Sequence, residues 1–183
     1  MNTYNPLRLA IAALAIGATG LLAGTLLGSG MDEFARRGLP ATSWTEQHQS
    51  MDAVFRQFMP VFFNATAMLL IVATVLSRGR ARWLFGGAAL LTVLSIVVTV
   101  IVEVPINRTV ALWTPGFAPA DWIVLRDRWL WNHFVRTISC IVAFWLAAAG
   151  LPRMGFQGWN SGRGGRGDRS NERYSGPARN QTH

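Results

Sequence analysis

Four long apolar stretches, separated by segments that hold the charge, constrain this chain more than any other feature. Hydrocarbon about 30 Å thick takes about 20 apolar helical residues to cross. Leu9 to Met31, Gln57 to Ser77 and Trp83 to Val102 carry no charged residue and reach that length. The fourth stretch, Thr137 to Pro152, has only 16 residues. To span, it must recruit Asn132 to Arg136, which sets Arg136 at or just under a headgroup layer. The first stretch is too long for a secretory signal, its flank carries only Arg8, and no clear Ala-x-Ala site follows, so a retained helix is expected. Composition agrees: 14% of residues are charged, against roughly 25% in a soluble domain, which disfavours a soluble enzyme. The predicted fold class is all-α. It is a four-helix transmembrane bundle with spans near 8–30, 57–77, 83–103 and 132–151, forming one membrane domain over residues 1–152.

Orientation follows from arginine placement, because loops rich in basic residues stay cytoplasmic. The link between spans two and three holds Arg78, Arg80 and Arg82 and no acid. Residues 153–183 hold six arginines and seven glycines against Asp168 and Glu172. Residues 32–56 and 103–130 mix both signs. Both termini are therefore expected in the cytoplasm and the two long loops outside, in a multi-pass protein of the inner (plasma) membrane. All 17 basic residues are arginine, a habit associated with GC-rich bacterial genomes. The Arg/Gly tail reads as a disordered anchor near anionic headgroups. Its Arg163-Gly164-Gly165 run has the letters of an RNA-binding segment, but no nucleic-acid partner is expected.

The outer loops carry helix signals. Ser43 and Glu46 have capping-box spacing after Pro40, and the pattern stays helical into span two, with a kink expected at Pro60. Pro119 and Asp121 mark another start, and nothing breaks the chain from Trp122 to Gly150. Helices two, three and four should thus project beyond the bilayer on the non-cytoplasmic side. In span one, Gly20, Gly24 and Gly28 recur every four residues. Small residues let helix backbones approach closely. The expected use is packing inside the bundle, with a homodimer through the same face as the second.

This topology gathers polar residues at one depth. His48, Asp52 and Arg56 are spaced i, i+4, i+8 and share a helix face. Glu103 and Asn107 lie one turn apart if helix persists through Pro105. Arg126, Trp129, His133, Arg136 and Cys140 run down one stripe. Charges near hydrocarbon normally face a bundle interior and a partner. Glu103 is the expected partner of Arg136, and Asp52 that of His48 or His133. Such pairs serve either helix register or a small-molecule site. A metal at His48, Asp52, Glu103 and His133 is the lesser alternative, since the compact motifs of zinc and di-iron sites are missing, and no cofactor is predicted. The lone Cys140 excludes an internal disulfide. Trp44, Trp113, Trp122, Trp129 and Trp131 fit an interfacial belt and could also wall a pocket for a flat aromatic ligand.

Three blocks then resemble a known family. They are Leu39-Pro40 with Trp44, His48-Gln49, Asp52, Phe55 and Met59-Pro60; Val104-Pro105-Ile106-Asn107 with Trp113; and Trp131-Asn132-His133 with Arg136-Thr137. Their order and spacing resemble the anthrone oxygenase-like family of small four-helix membrane proteins, over roughly residues 8–150. Many bacterial members are known only as a domain of unknown function. The resemblance implies oxidation of an apolar aromatic or polyketide-like substrate, and maps the family motif onto His48, Asp52, Pro105, Asn107, Trp131, His133 and Arg136. At Glu103 the family commonly carries asparagine, so the resemblance carries no catalytic role over to that residue. On this reading His133 is the general base, Arg136 holds an enolate oxygen, and His48 and Asp52 orient groups or relay protons. Glu103, Asn107, Trp113, Trp131 and Asn132 are the expected substrate-binding residues. A non-catalytic membrane protein binding a lipid, small molecule or protein is the alternative, with the lipid bilayer a partner in either case.

Overall fold

Helices whose whole circumference is apolar must bury one side against each other and offer the rest to lipid. The computed structural model, which describes residues 6–114 and 116–161, shows this arrangement. Its helices are α1 (Pro6–Ala35), α2 (Ala41–Leu76), α3 (Gly79–Val98), α4 (Val104–Ala111) and α5 (Trp122–Ser161). A 3-10 turn, Arg36–Gly38, ends α1, and a π turn, Thr99–Glu103, joins α3 to α4. Four helical stretches are long and apolar enough to cross a membrane: Pro6–Gly38, Ala41–Leu76, Gly79–Ala111 and Trp122–Met154. Among the described residues there is no strand. α1 and α3 each pack against both α2 and α5, so the four spans close a square around one core.

The connections explain the alternating direction. Between α2 and α3 only Ser77 and Arg78 intervene, and Gly79 takes a φ of 52°. A Cβ there would be strained, which gives glycine a purpose at this turn. Ser77 closes α2 by donating its amide to the Thr74 carbonyl at 3.2 Å and its hydroxyl to that of Ala73. At the other end of the bundle, Trp122 and Val124 donate to the carbonyls of Pro119 and Asp121, starting α5 where the sequence signals it.

The core has three levels. The end nearest the Ser77–Arg78 link is small: Ala12, Ala15, Ala73, Ala88, Ala143 and Ala147 surround Phe85, so backbones lie close. Leu22, Leu26, Phe63 and Cys140 form the middle. Trp44, Ile106, Val110, Trp129 and Leu130 form the far level, beside nearly all the buried charge.

Several expectations change. α2 begins at Ala41 with Pro40 as its cap and no side-chain capping bond, so Ser43 and Glu46 form no capping box. Pro40 already sets the entry, which puts both residues inside the helix. α2 stays helical through Pro60, as the sequence pattern indicates, and Asn64 donates to the Pro60 carbonyl at 2.7 Å. α1 runs on to Ala35, so every span outlasts its apolar stretch, not only the last three. Gly24 and Gly28 are exposed, with open space where a Cβ would stand. Only Gly20 of that trio packs inward, against Phe144, while the glycine buried at the site is Gly30. α5 continues through Pro152 to Ser161, and the rest of the Arg/Gly tail lies outside the described residues.

Candidate functional site

A cavity of about 450 Å³ is lined by all four spans and takes in residues of the middle level (Leu26, Phe63) and the far level (Trp129). That lies within the roughly 300–1,000 Å³ of pockets that take small organic ligands. Its lining is mixed: Met51, Phe55, Met59 and Phe63 from α2 and Ile96, Val100 and Val104 are apolar. Ser29, Glu33, His48, Asp52, Glu103, Asn107, His133 and Arg136 are among its polar residues.

The π turn explains how Glu103 arrives there. Pro105 has no N–H with which to continue the α-helical pattern. Val104 donates instead to the Thr99 carbonyl, five residues back. Ser95, Thr99 and Glu103 each come one turn apart and all face inward. π turns of this kind are frequent at functional sites.

Two polar clusters share the cavity. In the first, Arg136 forms an ion pair with Glu103 Oε2 at 2.5 Å. Its NH1 donates to Thr99 Oγ1 at 2.9 Å and its NH2 to His133 Nδ1 at 2.8 Å. His133 Nε2 donates to the Leu26 carbonyl at 2.8 Å, with Ser29 Oγ at 3.3 Å. A carbonyl only accepts and a guanidinium only donates. His133 is therefore the neutral ring with its proton on Nε2, and both nitrogens are committed. Glu103 Oε1 and Arg136 Nε are buried with no hydrogen-bond partner among the described residues.

In the second cluster, Asn107 donates its amide nitrogen to Asp52 Oδ1 at 2.7 Å, which turns its oxygen toward His48 Nε2 at 3.3 Å. His48 Nε2 must then carry the proton. Its Nδ1 makes no hydrogen bond among the described residues and stands 3.9 Å from Glu33 Oε2. Glu33 is 2% exposed; Trp44 Nε1 donates to its Oε1, and Arg36 lies 3.2 Å from its Oε2. The clusters are bridged by aromatic contact. His48 stacks on Trp44 at 4.7 Å, Trp129 meets His48 edge-on at 5.1 Å, and His133 stacks on Trp129 at 4.8 Å.

His48, Asp52, Glu103, Asn107, His133 and Arg136, all expected at the site, come together around this cavity. Glu103 pairs with Arg136 as anticipated. Asp52 pairs with neither histidine: it reaches Arg56 at 2.9 Å and His48 only through Asn107. Trp131 and Asn132 face outward, Trp131 69% exposed and Asn132 bonded to the Arg128 carbonyl of its own helix. At about 100° per residue they cannot share the face of Trp129 and His133. Trp113 packs against Trp44, outside the cavity lining. No three His, Cys, Asp or Glu side chains among the described residues gather as a metal-holding group. Trp129 stands between the two imidazoles.

Sequence reasoning missed Glu33, placed among mixed loop charges. The signal was its spacing: Leu22, Leu26, Ser29 and Glu33 follow helical steps of four, three and four along the inner face of α1. It also missed Thr99, one turn before Glu103.

A comparison with protein families matches residues 48–146, more than half of the chain, to the family described as anthrone oxygenase. No curated protein matches, and no solved structure matches. The matched stretch begins at His48 and ends inside α5, so it takes in His48, Asp52, Glu103, Asn107, His133 and Arg136 and leaves out α1.

Proposed function

The chain belongs to the anthrone oxygenase family, and from that premise we propose that it is a membrane-embedded oxygenase of flat, apolar phenolic substrates such as anthrones. The observation that carries this reading is a cavity lined by both apolar and polar side chains, among them His48, whose Nδ1 makes no hydrogen bond among the described residues. A fused aromatic substrate lies against Phe55, Met59 and Phe63, with its oxygens toward His48 and Arg136.

His48, not His133, is the base in this reading, because both nitrogens of His133 are taken by Leu26 and Arg136. The activated CH₂ of the substrate loses a proton to His48 Nδ1 and leaves an enolate. Arg136 Nε–H, which has no hydrogen-bond partner among the described residues, donates to the enolate oxygen. The electron-rich carbon attacks dioxygen, forming a C–O bond, and the proton on His48 passes to the peroxide. Loss of the second C–H proton with cleavage of the O–O bond gives the ketone and water. The balance is CH₂ + O₂ → C=O + H₂O, so dioxygen is the co-reactant and His48 is regenerated. Asp52 and Asn107 hold the His48 ring and its tautomer. The arginine-rich link supports a non-cytoplasmic side for this end of the bundle, and in this reading substrate enters sideways from the membrane.

The test is quinone formation from an anthrone by purified protein in nanodiscs. His48→Ala is expected to fall about 10²–10⁴-fold, and a rate equal to the unsubstituted protein removes the proposed base. A second reading, a non-catalytic binder, draws on the pairing of Arg136 with both Glu103 and His133. It is favoured if anthrone binds with no turnover and His48→Ala binds equally well.

A further inference from the structure

The proposed mechanism does not use Glu33, a carboxylate that is almost wholly buried and lies outside the stretch matched to the family. Its burial is costly unless its charge serves a partner. Three contacts hold it. Trp44 Nε1 donates to one oxygen, Arg36 NH2 stands 3.2 Å from the other, and His48 Nδ1 stands 3.9 Å from that same oxygen. Arg36 is already paired with Asp32 at 2.5 Å. Trp44 also stacks on the His48 ring, so one indole sets both the carboxylate and the imidazole.

We infer that Glu33 is a positioning residue that acts through His48, its fixed carboxylate stabilising the imidazolium formed when Nδ1 accepts the substrate proton. This rests on the proposed function for its chemistry, though the coupling of Glu33 to His48 stands on geometry alone. The gap of 3.9 Å matters. A direct hydrogen bond would commit Nδ1 in the resting state, as Arg136 commits that of His133. At 3.9 Å the nitrogen keeps its lone pair for substrate, while the carboxylate remains close enough to stabilise positive charge that forms on the ring. His48 would thus lie between two acids with different jobs. Asp52, through Asn107, fixes the tautomer from the Nε2 side, and Glu33 supplies charge on the Nδ1 side.

The other charged groups lining the cavity bear on His48 as well. They are Arg36 after α1, Arg56 on α2, Glu103 on the π turn, Arg108 on α4, and His133 and Arg136 on α5. Arg136 and Glu103 are bound to each other, Arg56 is bound to Asp52, and Trp129 separates His133 from His48. Glu33 is the carboxylate that comes within 4 Å of a ring nitrogen of His48 among the described residues.

Glu33→Gln keeps the size and a hydrogen-bonding oxygen for Trp44 while removing the charge. In nanodiscs, kcat for the anthrone is expected to fall roughly tenfold with KM nearly unchanged. The acid limb of the pH–rate profile should move to lower pH, because an imidazolium without its counter-charge gives up its proton more readily. Glu33→Asp should restore part of both effects, and decides the matter alone if Glu33→Gln does not fold. The second arm needs no turnover: ring-labelled histidine NMR of the full chain, with the His48 signal assigned by His48→Gln, followed across pH. Movement of the His48 titration to lower pH in the variant supports the inference. An unmoved titration and acid limb, in a variant that only loses thermal stability, overturns it and makes Glu33 a structural tie between α1 and α2. If the unsubstituted protein turns over no anthrone while the NMR shift appears, the oxygenase reading fails and the Glu33–His48 coupling stands.

Discussion

A histidine can act as a base only through a nitrogen that nothing else occupies, and at this site the two candidates differ in that respect alone. Both are buried, both are stacked on tryptophan, and both lie within reach of a carboxylate. His133 has spent its lone pair on Arg136; His48 has not. The Arg136–Glu103 pair invites a stability test. Arg136→Ala leaves the buried Glu103 without its cation, which should cost about 3–5 kcal/mol. The double replacement Arg136→Met with Glu103→Leu removes both charges and should recover most of that loss. Thermal unfolding in detergent measures both, and a single replacement as stable as the double one contradicts the pairing. Sequence spacing brought out this pair and the convergence of His48 with His133. It could not show which nitrogens were occupied, because Leu26 lies 107 residues before His133.

At the scale of elements, α1 shows how a helix carries two different glycine faces. A Cβ on Gly30 would stand 3.0 Å from His133 Cδ2 and 3.1 Å from Nε2, the atom that holds Leu26. Gly30→Ala should therefore overpack the site, costing about 1–3 kcal/mol and loosening the His133–Leu26 bond. Gly28→Ala meets open space and should stabilise by up to about 1 kcal/mol through helix propensity. Parallel melts of the two variants check this, and equal shifts would place Gly30 away from His133. The four-residue glycine repeat was visible in the sequence. The buried position just outside it was not, since a repeat of small residues does not say which way it faces. The π turn of Thr99–Glu103 is a similar case. Pro105 signals a disturbance of the helix, but only packing against α5 decides that the disturbance turns Glu103 inward to Arg136.

For the whole molecule, the arrangement separates an alanine-rich end, where helices lie close, from a tryptophan-rich end that opens into a cavity. Orientation can be tested because the chain has one cysteine, Cys140, which is fully buried. In a Cys140→Ala background, Arg80→Cys should react with an impermeant maleimide only after cells are opened. Phe117→Cys, at an 84% exposed position in the opposite loop, should react in intact cells. The reverse pattern inverts the topology and puts the cavity on the cytoplasmic side.

The number of spans, their antiparallel order and the depth shared by the polar residues were all decided by the sequence. Each depends on local quantities: the length of apolar runs, the placement of arginine and the spacing of residues along one helix. Which residues complete the site was decided only by the tertiary structure. Trp131 and Asn132 turn away, Asp52 reaches histidine through Asn107, and Glu33 comes in from α1 to face His48. Rotation of each helix about its axis sets these outcomes. That rotation comes from how Ala, Gly and Trp side chains fit between helices distant in sequence, which no single stretch of residues encodes.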